Sequence, residues 1–346
     1  MADSTTVSRP CSLRSMPQAA DGTQRLPAAA LTTLTSERTR TAGFSLIEVL
    51  VALVVMGVIA ALLAPLIFTA RGMVENDQLR TATNQGVRAG SDLMGSDIRM
   101  AGERFPRGGS LSLSPIQIVP GGANPDEITL RRNLWEGTLP VCMDPLNNGH
   151  QFINVVRLAA DAFWGGAYGG THPECGQTLD SDGWPMNLAA VKALADTTTT
   201  NGVLRGYILD PATGVGEFID FDIPADADDT GLIRLVGMNV VNTYQIDNRP
   251  LIYILDERHY RVQNGILELL LNGNTASPLA VAADISDFEA LYVLNTGVVS
   301  ATFPAGTTWR DIESVSITLT GMAGIGPDTV QRSFTNRYFP RNVLSR

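Results

Sequence analysis

Lysine is nearly absent from this chain. Lys192 is the only one, so 24 of the 25 basic residues are arginine. Lys192 follows Ala-Val and not a glycine-rich loop, which excludes a phosphate-cradling lysine of the P-loop kind. The arginine excess reads as a bias of base composition rather than a role for arginine. Histidine is almost as scarce, with only His150, His172 and His259. No HExxH, GxSxG, Walker A or dinucleotide fingerprint occurs, so no catalytic motif stands behind an enzyme reading. The three cysteines, Cys11, Cys142 and Cys175, form no CxxC and no zinc-spaced cluster with histidine. His172 lies close to Cys175, but Cys175 has a candidate disulfide partner, which argues against a Cys–His dyad. Positive charge is also short. The net charge is −10, whereas a surface built to coat nucleic acid is basic. No cofactor is implied.

What is present suffices for a folded body. The length of 346 residues allows one or two domains, and 44% hydrophobic residues can fill a core. Most glycines and prolines lie beyond residue 100, which predicts a turn-rich, β-containing body.

One long apolar run interrupts the first hundred residues. From Phe44 to Ala70 the only charge is Glu48. As a helix these residues would measure ~40 Å, enough to cross a ~30 Å hydrocarbon layer. A cleaved signal peptide has a shorter apolar core of about 7–15 residues, so the run reads as a retained anchor. Arg9, Arg14, Arg25, Arg38 and Arg40 precede it, against Asp3, Asp21 and Glu37. That excess holds residues 1–43 in the cytoplasm and sends the rest outward.

Glu48 is the anomaly. A carboxylate inside a membrane segment costs several kcal/mol unless it is paired. No lysine or arginine lies within reach in the span. One cation remains, the α-amino group released by cutting between Gly43 and Phe44. It would stand about one helical turn before Glu48 and could pair within the chain or with a neighbour's Glu48.

The segment "GFSLIEVLVALVVMGVIAALLAPL" resembles the N-terminus of type IV pilins and type II secretion pseudopilins. The resemblance implies a leader, 1–43, removed by prepilin peptidase after Gly43, and N-methylation of Phe44. It gives Glu48 a part in methylation and in docking on the neighbouring subunit. Pro65 matches a helix-kinking proline of that family. A 43-residue leader is long for the family, and either Met1 or Met16 is the start.

Helical spacing continues past Arg71. Leu79, Ala82, Gly86, Gly90, Leu93, Asp97 and Ala101 form a stripe, broadened by Met94 and Ile98, that predicts a face packed on a sheet. The "GERFPRGG" stretch ends it, so Phe44 to Ala101 is expected as one helix. Residues 44–70 form its membrane half and 71–102 its amphipathic half. Beyond, "IQIV", "EITLRR", "FINVVRLA", "GVLRGYILD", "GEFIDFDI", "LIRLV", "LIYILDERHYRVQNGILELLL", "DFEALYVL" and "SVSITLT" read as strands. Asn264-Gly265 marks a hairpin. The expected fold is α+β and pilin-like, with a long N-terminal helix packed on an antiparallel β-rich head over 103–346.

A second resemblance concerns order. "DIRMAG", "YRVQNGILELL", "DISDFEALYVL", "DIESVSITLTG" and "RSFTNRYFPRN" follow one another as in PilW-type minor pilins. GspJ-type pseudopilins are built similarly and remain the alternative. The resemblance implies pilus assembly near the tip, in the inner membrane with the head periplasmic. Its partners would be other minor and major pilins, the prepilin peptidase and the inner-membrane assembly platform. Residues from about 133 to 230 match nothing in that pattern and read as an insertion.

Four further features carry two readings each. If the body is exported, Cys142 and Cys175 pair; two buried free thiols are the alternative. Asp220, Asp222, Asp226, Asp228 and Asp229 offer oxygen ligands suited to Ca²⁺, but without EF-hand spacing, and a solvated acidic turn is the other reading. "WGGAYGG", 164–170, is a surface loop or a contact. Arg332, Arg337, Arg341 and Arg346 recur among Phe334, Tyr338 and Phe339, a pattern that suits strand-edge arginines or a single-stranded nucleic acid site. Residues 44–346 carry 20 basic and 32 acidic side chains, which opposes the second reading and with it a DNA-uptake tip subunit.

Overall fold

The computed structural model describes residues 45–105, 113–143, 145–156, 175, 186–198, 201–227, 231–323 and 329–344. Gly43, Phe44, His172, Asp228, Asp229 and the 164–170 loop lie outside them. The chain separates into two compact units, Met1–Ala64 and Pro65–Arg346. The architecture is the expected pilin-like α+β one, a long apolar N-terminal helix followed by an antiparallel β-rich head.

Helix α1 spans Leu46–Met100 and contains Pro65. Its start is a capping arrangement. The Ser45 carbonyl accepts from the Glu48 N–H at 3.0 Å, and the Glu48 carboxylate accepts from the Ser45 N–H at 3.0 Å. Its end is set by Gly102, at φ 75°, whose N–H leaves the helix and donates to the Arg131 carbonyl at 2.9 Å. The short helix α3, Arg341–Leu344, closes over that end. The Asn342 amide donates to the carbonyls of Met100 and Arg99, at 3.3 and 3.5 Å, two of the acceptors a helix C-terminus leaves open.

The head holds two antiparallel sheets. The larger contains β1 (Ile116–Val119), β2 (Glu127–Asn133), β3 (Leu139–Pro140), β4 (Phe152–Asn154), β5 (Leu204–Leu209), β6 (Gly216–Asp222), β7 (Leu232–Leu235), β8 (Leu251–Gln263), β9 (Ile266–Leu271) and β10 (Leu279–Ala283). Its main path runs β1-β2-β8-β5-β6-β7-β4; β3 and β9 also pair with β8, and β10 with β9. The smaller sheet runs β12-β11-β13-β14, with β11 at Ile285–Leu294, β12 at Val299–Ser300, β13 at Ile312–Ala323 and β14 at Val330–Tyr338. The β8–β9 turn places Asn264 and Gly265 at φ 52° and 76°, the left-handed pair a two-residue hairpin needs.

Strand β8 organises the head because alternate residues share a face. Ile252 and Ile254 enter a core whose buried residues run from Leu139 to Ile254, which includes helix α2 (Met186–Thr198). Further along the same face, Tyr260 enters a second core, where Val87, Met94 and Ile98 of α1 meet Ile317 and Leu319 of β13 and Leu267 of β9.

The structure corrects several expectations. The buried face of α1 is Thr83, Val87, Gly90, Ser91, Met94, Gly95, Asp97 and Ile98, while Ala82 and Leu93 are exposed. The face is turned from the expected stripe because closeness of approach decides it. A Cβ on Gly95 would stand 2.2 Å from the Tyr338 ring, and Ser91 bonds the Tyr338 hydroxyl at 2.6 Å. Helix α2 and strands β3, β10 and β12 were not foreseen. Of "FINVVRLA", only Phe152–Asn154 is paired as a strand among the described residues.

Candidate functional site

The apolar half of α1 is the first candidate. Sixteen large apolar side chains between Leu46 and Phe68 are exposed. Burying each is worth about 1.5–3 kcal/mol, so leaving them all in water would cost tens of kcal/mol. Among the described residues nothing covers the most apolar stretch of the helix, which is long and apolar enough to cross a membrane. Glu48 sits one turn into the helix, and its carboxylate accepts from the Ser45 N–H. Val51, Val55 and Ile59 continue its face along the exposed helix.

The second candidate holds the other end of α1 to the head. Asp97 is 4% exposed. It pairs with Arg258 at 2.8 Å and accepts a hydrogen bond from the Tyr260 hydroxyl. Arg258 lies 3.4 Å from Asp256, which pairs with Arg132 of β2 at 2.8 Å. Asp256, Arg258 and Tyr260 occupy alternate positions of β8 and so share one face. Burial opposes the charge of Arg258, but Asp256 and Asp97 outweigh it and its pKa is raised. Burial, then the bond to Asp97, pushes the Tyr260 hydroxyl up. Asp97 stood in the sequence stripe as one acid among apolar residues. Its partner, 161 positions away, carried no signal until β8 was placed.

The opposite face of β8 carries Glu257, paired with Arg131 and, at 4.0 Å, with Arg205. Both guanidinium groups lie 5.0 Å from the Phe218 ring. Arg205 also pairs with Asp220 at 3.0 Å. Of the acids considered for Ca²⁺, Asp222 is paired with Arg234 and Asp226 has a partner of its own. Among the described residues no three His, Cys, Asp or Glu side chains are placed to hold a metal. His259 bonds Glu127 at 2.9 Å, and His150 bonds Asn147. Cys142 and Cys175 form a disulfide with Cα atoms 5.8 Å apart.

A cleft of about 700 Å³ opens beside Tyr292, Phe303 and Trp309. Several of its polar groups are already engaged. The Tyr292 hydroxyl bonds the Ile118 N–H at 2.7 Å, and Arg131 holds Gln117 at 3.1 Å as well as Glu257.

A family model described as a prokaryotic N-terminal methylation motif matches residues 38–64. No curated protein and no solved structure matches the chain. The motif and the uncovered apolar helix together support a type IV pilin-like protein.

Proposed function

We propose that this protein is a PilW-like minor pilin that helps to prime type IV pilus assembly and sits at or near the tip. Residues 1–43 are the leader, cut by prepilin peptidase between Gly43 and Phe44, and Phe44 is then N-methylated. The new α-amino group pairs with Glu48 of its own or a neighbouring subunit, which relieves an unpaired charge in the membrane. Residues 44–70 pack beside the helices of other pilins, with a bend at Pro65. The head, 103–346, faces the periplasm, with 133–230 as an insertion and Cys142–Cys175 as its disulfide.

The observation that carries this reading is a single carboxylate, Glu48, in an otherwise apolar and uncovered half-helix, within the stretch that matches a methylation motif. An in-frame deletion in the native host tests the finer assignment. Loss of surface pili with protein secretion intact is the expected result. Loss of secretion with pili intact would assign the chain to a GspJ-like secretion pseudopilus instead.

A further inference from the structure

Strand β14 is the outermost strand of the smaller sheet. Its nine residues pair with β13 from Val315↔Tyr338 to Ala323↔Val330 without a register shift. Along its other side, no backbone partner exists among the described residues. Edges of this length are normally shortened, bulged, broken by proline or covered, because their free N–H and C=O groups template further pairing. β14 has no proline and no bulge.

Most arginines of the head are paired, Arg249 and Arg310 being exceptions away from β14 among the described residues, whereas around this edge the unpaired ones gather. Arg104, Arg131, Arg132, Arg205, Arg234, Arg258 and Arg261 each stand within 4.0 Å of a carboxylate. Arg332 and Arg337 on β14, and Arg341 just after it, are exposed and have no ion pair among the described residues. The adjoining face of α1 adds two more. Ser91 and Gly95 meet Tyr338, and Arg99 lies 5.4 Å from its ring. Arg88 stands one turn before Ser91 in the same row, and it too is exposed without an ion pair among the described residues. Five arginines without carboxylate partners among the described residues thus flank one open strand on a chain whose net charge is −10.

We propose that the free edge of β14 accepts an extended, acidic segment of a partner protein as an added strand. Main-chain hydrogen bonds to the edge would supply affinity, and the arginines would supply selection, rejecting basic strands and favouring carboxylate-bearing ones. The approach is confined to the edge. Asp287 and Glu289 of β11 stand in register with Thr320 and Thr318, two strands or ~10 Å from β14, and repel acid from the sheet's face. On that face the Ser333 and Thr335 hydroxyls are already bonded to Thr320 and Thr318, at 2.9 and 3.0 Å. A single-stranded nucleic acid is the poorer occupant, because it needs exposed rings for stacking. Tyr338 is 4% exposed, Phe334 is packed against the core, and Phe339 alone is open. The proposal concerns the head and does not depend on the pilus reading.

The test uses the full chain purified in detergent. The probes are a labelled decapeptide of alternating valine and glutamate, its valine–lysine counterpart, its N-methylated form and a thymidine oligonucleotide. The valine–glutamate peptide should bind and slow amide exchange within residues 330–338. The N-methylated and lysine peptides should not. Arg332→Glu with Arg337→Glu should weaken binding about 100-fold, since like charges set against each other cost several kcal/mol, while Arg249→Glu should leave it unchanged. Protection of 330–338 in the unsubstituted chain keeps the test valid should the double variant fold poorly. Failure of the acidic peptide to bind, binding without protection of β14, equal binding of the N-methylated peptide, or binding of the oligonucleotide alone would overturn the proposal.

Discussion

From Leu46 to Ala70, α1 carries one charge and buries no side chain fully; from Thr83 to Met100 it carries four charges and buries eight residues. The usual association of apolar with inside is reversed along one helix. The second stretch is buried through small and polar residues, Gly90, Ser91, Gly95 and Asp97, that let strands come close and then bond to them. The first stretch has the apolar surface of a core and no core to enter. Water is the wrong solvent for it, and lipid or the helices of neighbouring subunits are the right ones.

The largest break in this comparison should come from Arg258→Ala. It leaves Asp97 buried without its cation and should destabilise the head by about 3–5 kcal/mol. Chemical denaturation followed by head tryptophan fluorescence would measure this; a loss below 1 kcal/mol would show that the pair does not hold the helix. Gly95→Ala is the next largest. The added methyl must displace the Tyr338 ring, at a cost of about 1–3 kcal/mol, whereas Gly57→Ala, with nothing within 4 Å of the new atom, should cost nothing measurable in the same assay.

Alkaline pH sharpens the comparison from another side. Burial raises the hydroxyls of Tyr244, Tyr260 and Tyr292, the last to about 12. The folded chain therefore keeps protons that the unfolded chain releases above about pH 10. The stability these tyrosines contribute is complete below that pH and is lost as pH rises, by about 1.4 kcal/mol per pH unit for each tyrosine. Tyr260→Phe should remove one such increment from the slope, and an unchanged slope would contradict the burial. The smallest effect belongs to the open half of α1. Leu62→Ser should shift head stability by no more than about 0.5 kcal/mol, yet reduce retention in membrane fractions.

The sequence pattern revealed α1, most long strands and the β8–β9 hairpin because each rests on local periodicity or a left-handed Asn-Gly pair. It located Gly90, Met94, Asp97, Ile98 and, just past the helix end, Ala101 on the buried face of α1 but set Leu93 there in place of Ser91. Leu93 is more apolar than Ser91, and only the approach of Tyr338, 247 positions away, makes the serine side the buried one. Among the described residues helix α2 buries only Leu188, Val191 and Ala195 in the core of the 139–254 region. Distance along the chain likewise hid the Asp97–Arg258 pair. Glu48 was legible because a lone carboxylate in an apolar run is anomalous whatever the fold.

The most direct measurement is the N-terminal sequence and mass of the protein isolated from its native membrane. A mature chain beginning at methylated Phe44, lost in Gly43→Ala and cut but poorly methylated in Glu48→Ala, is the result expected. An intact leader in the unsubstituted protein would contradict the account and reduce the apolar half of α1 to a plain anchor.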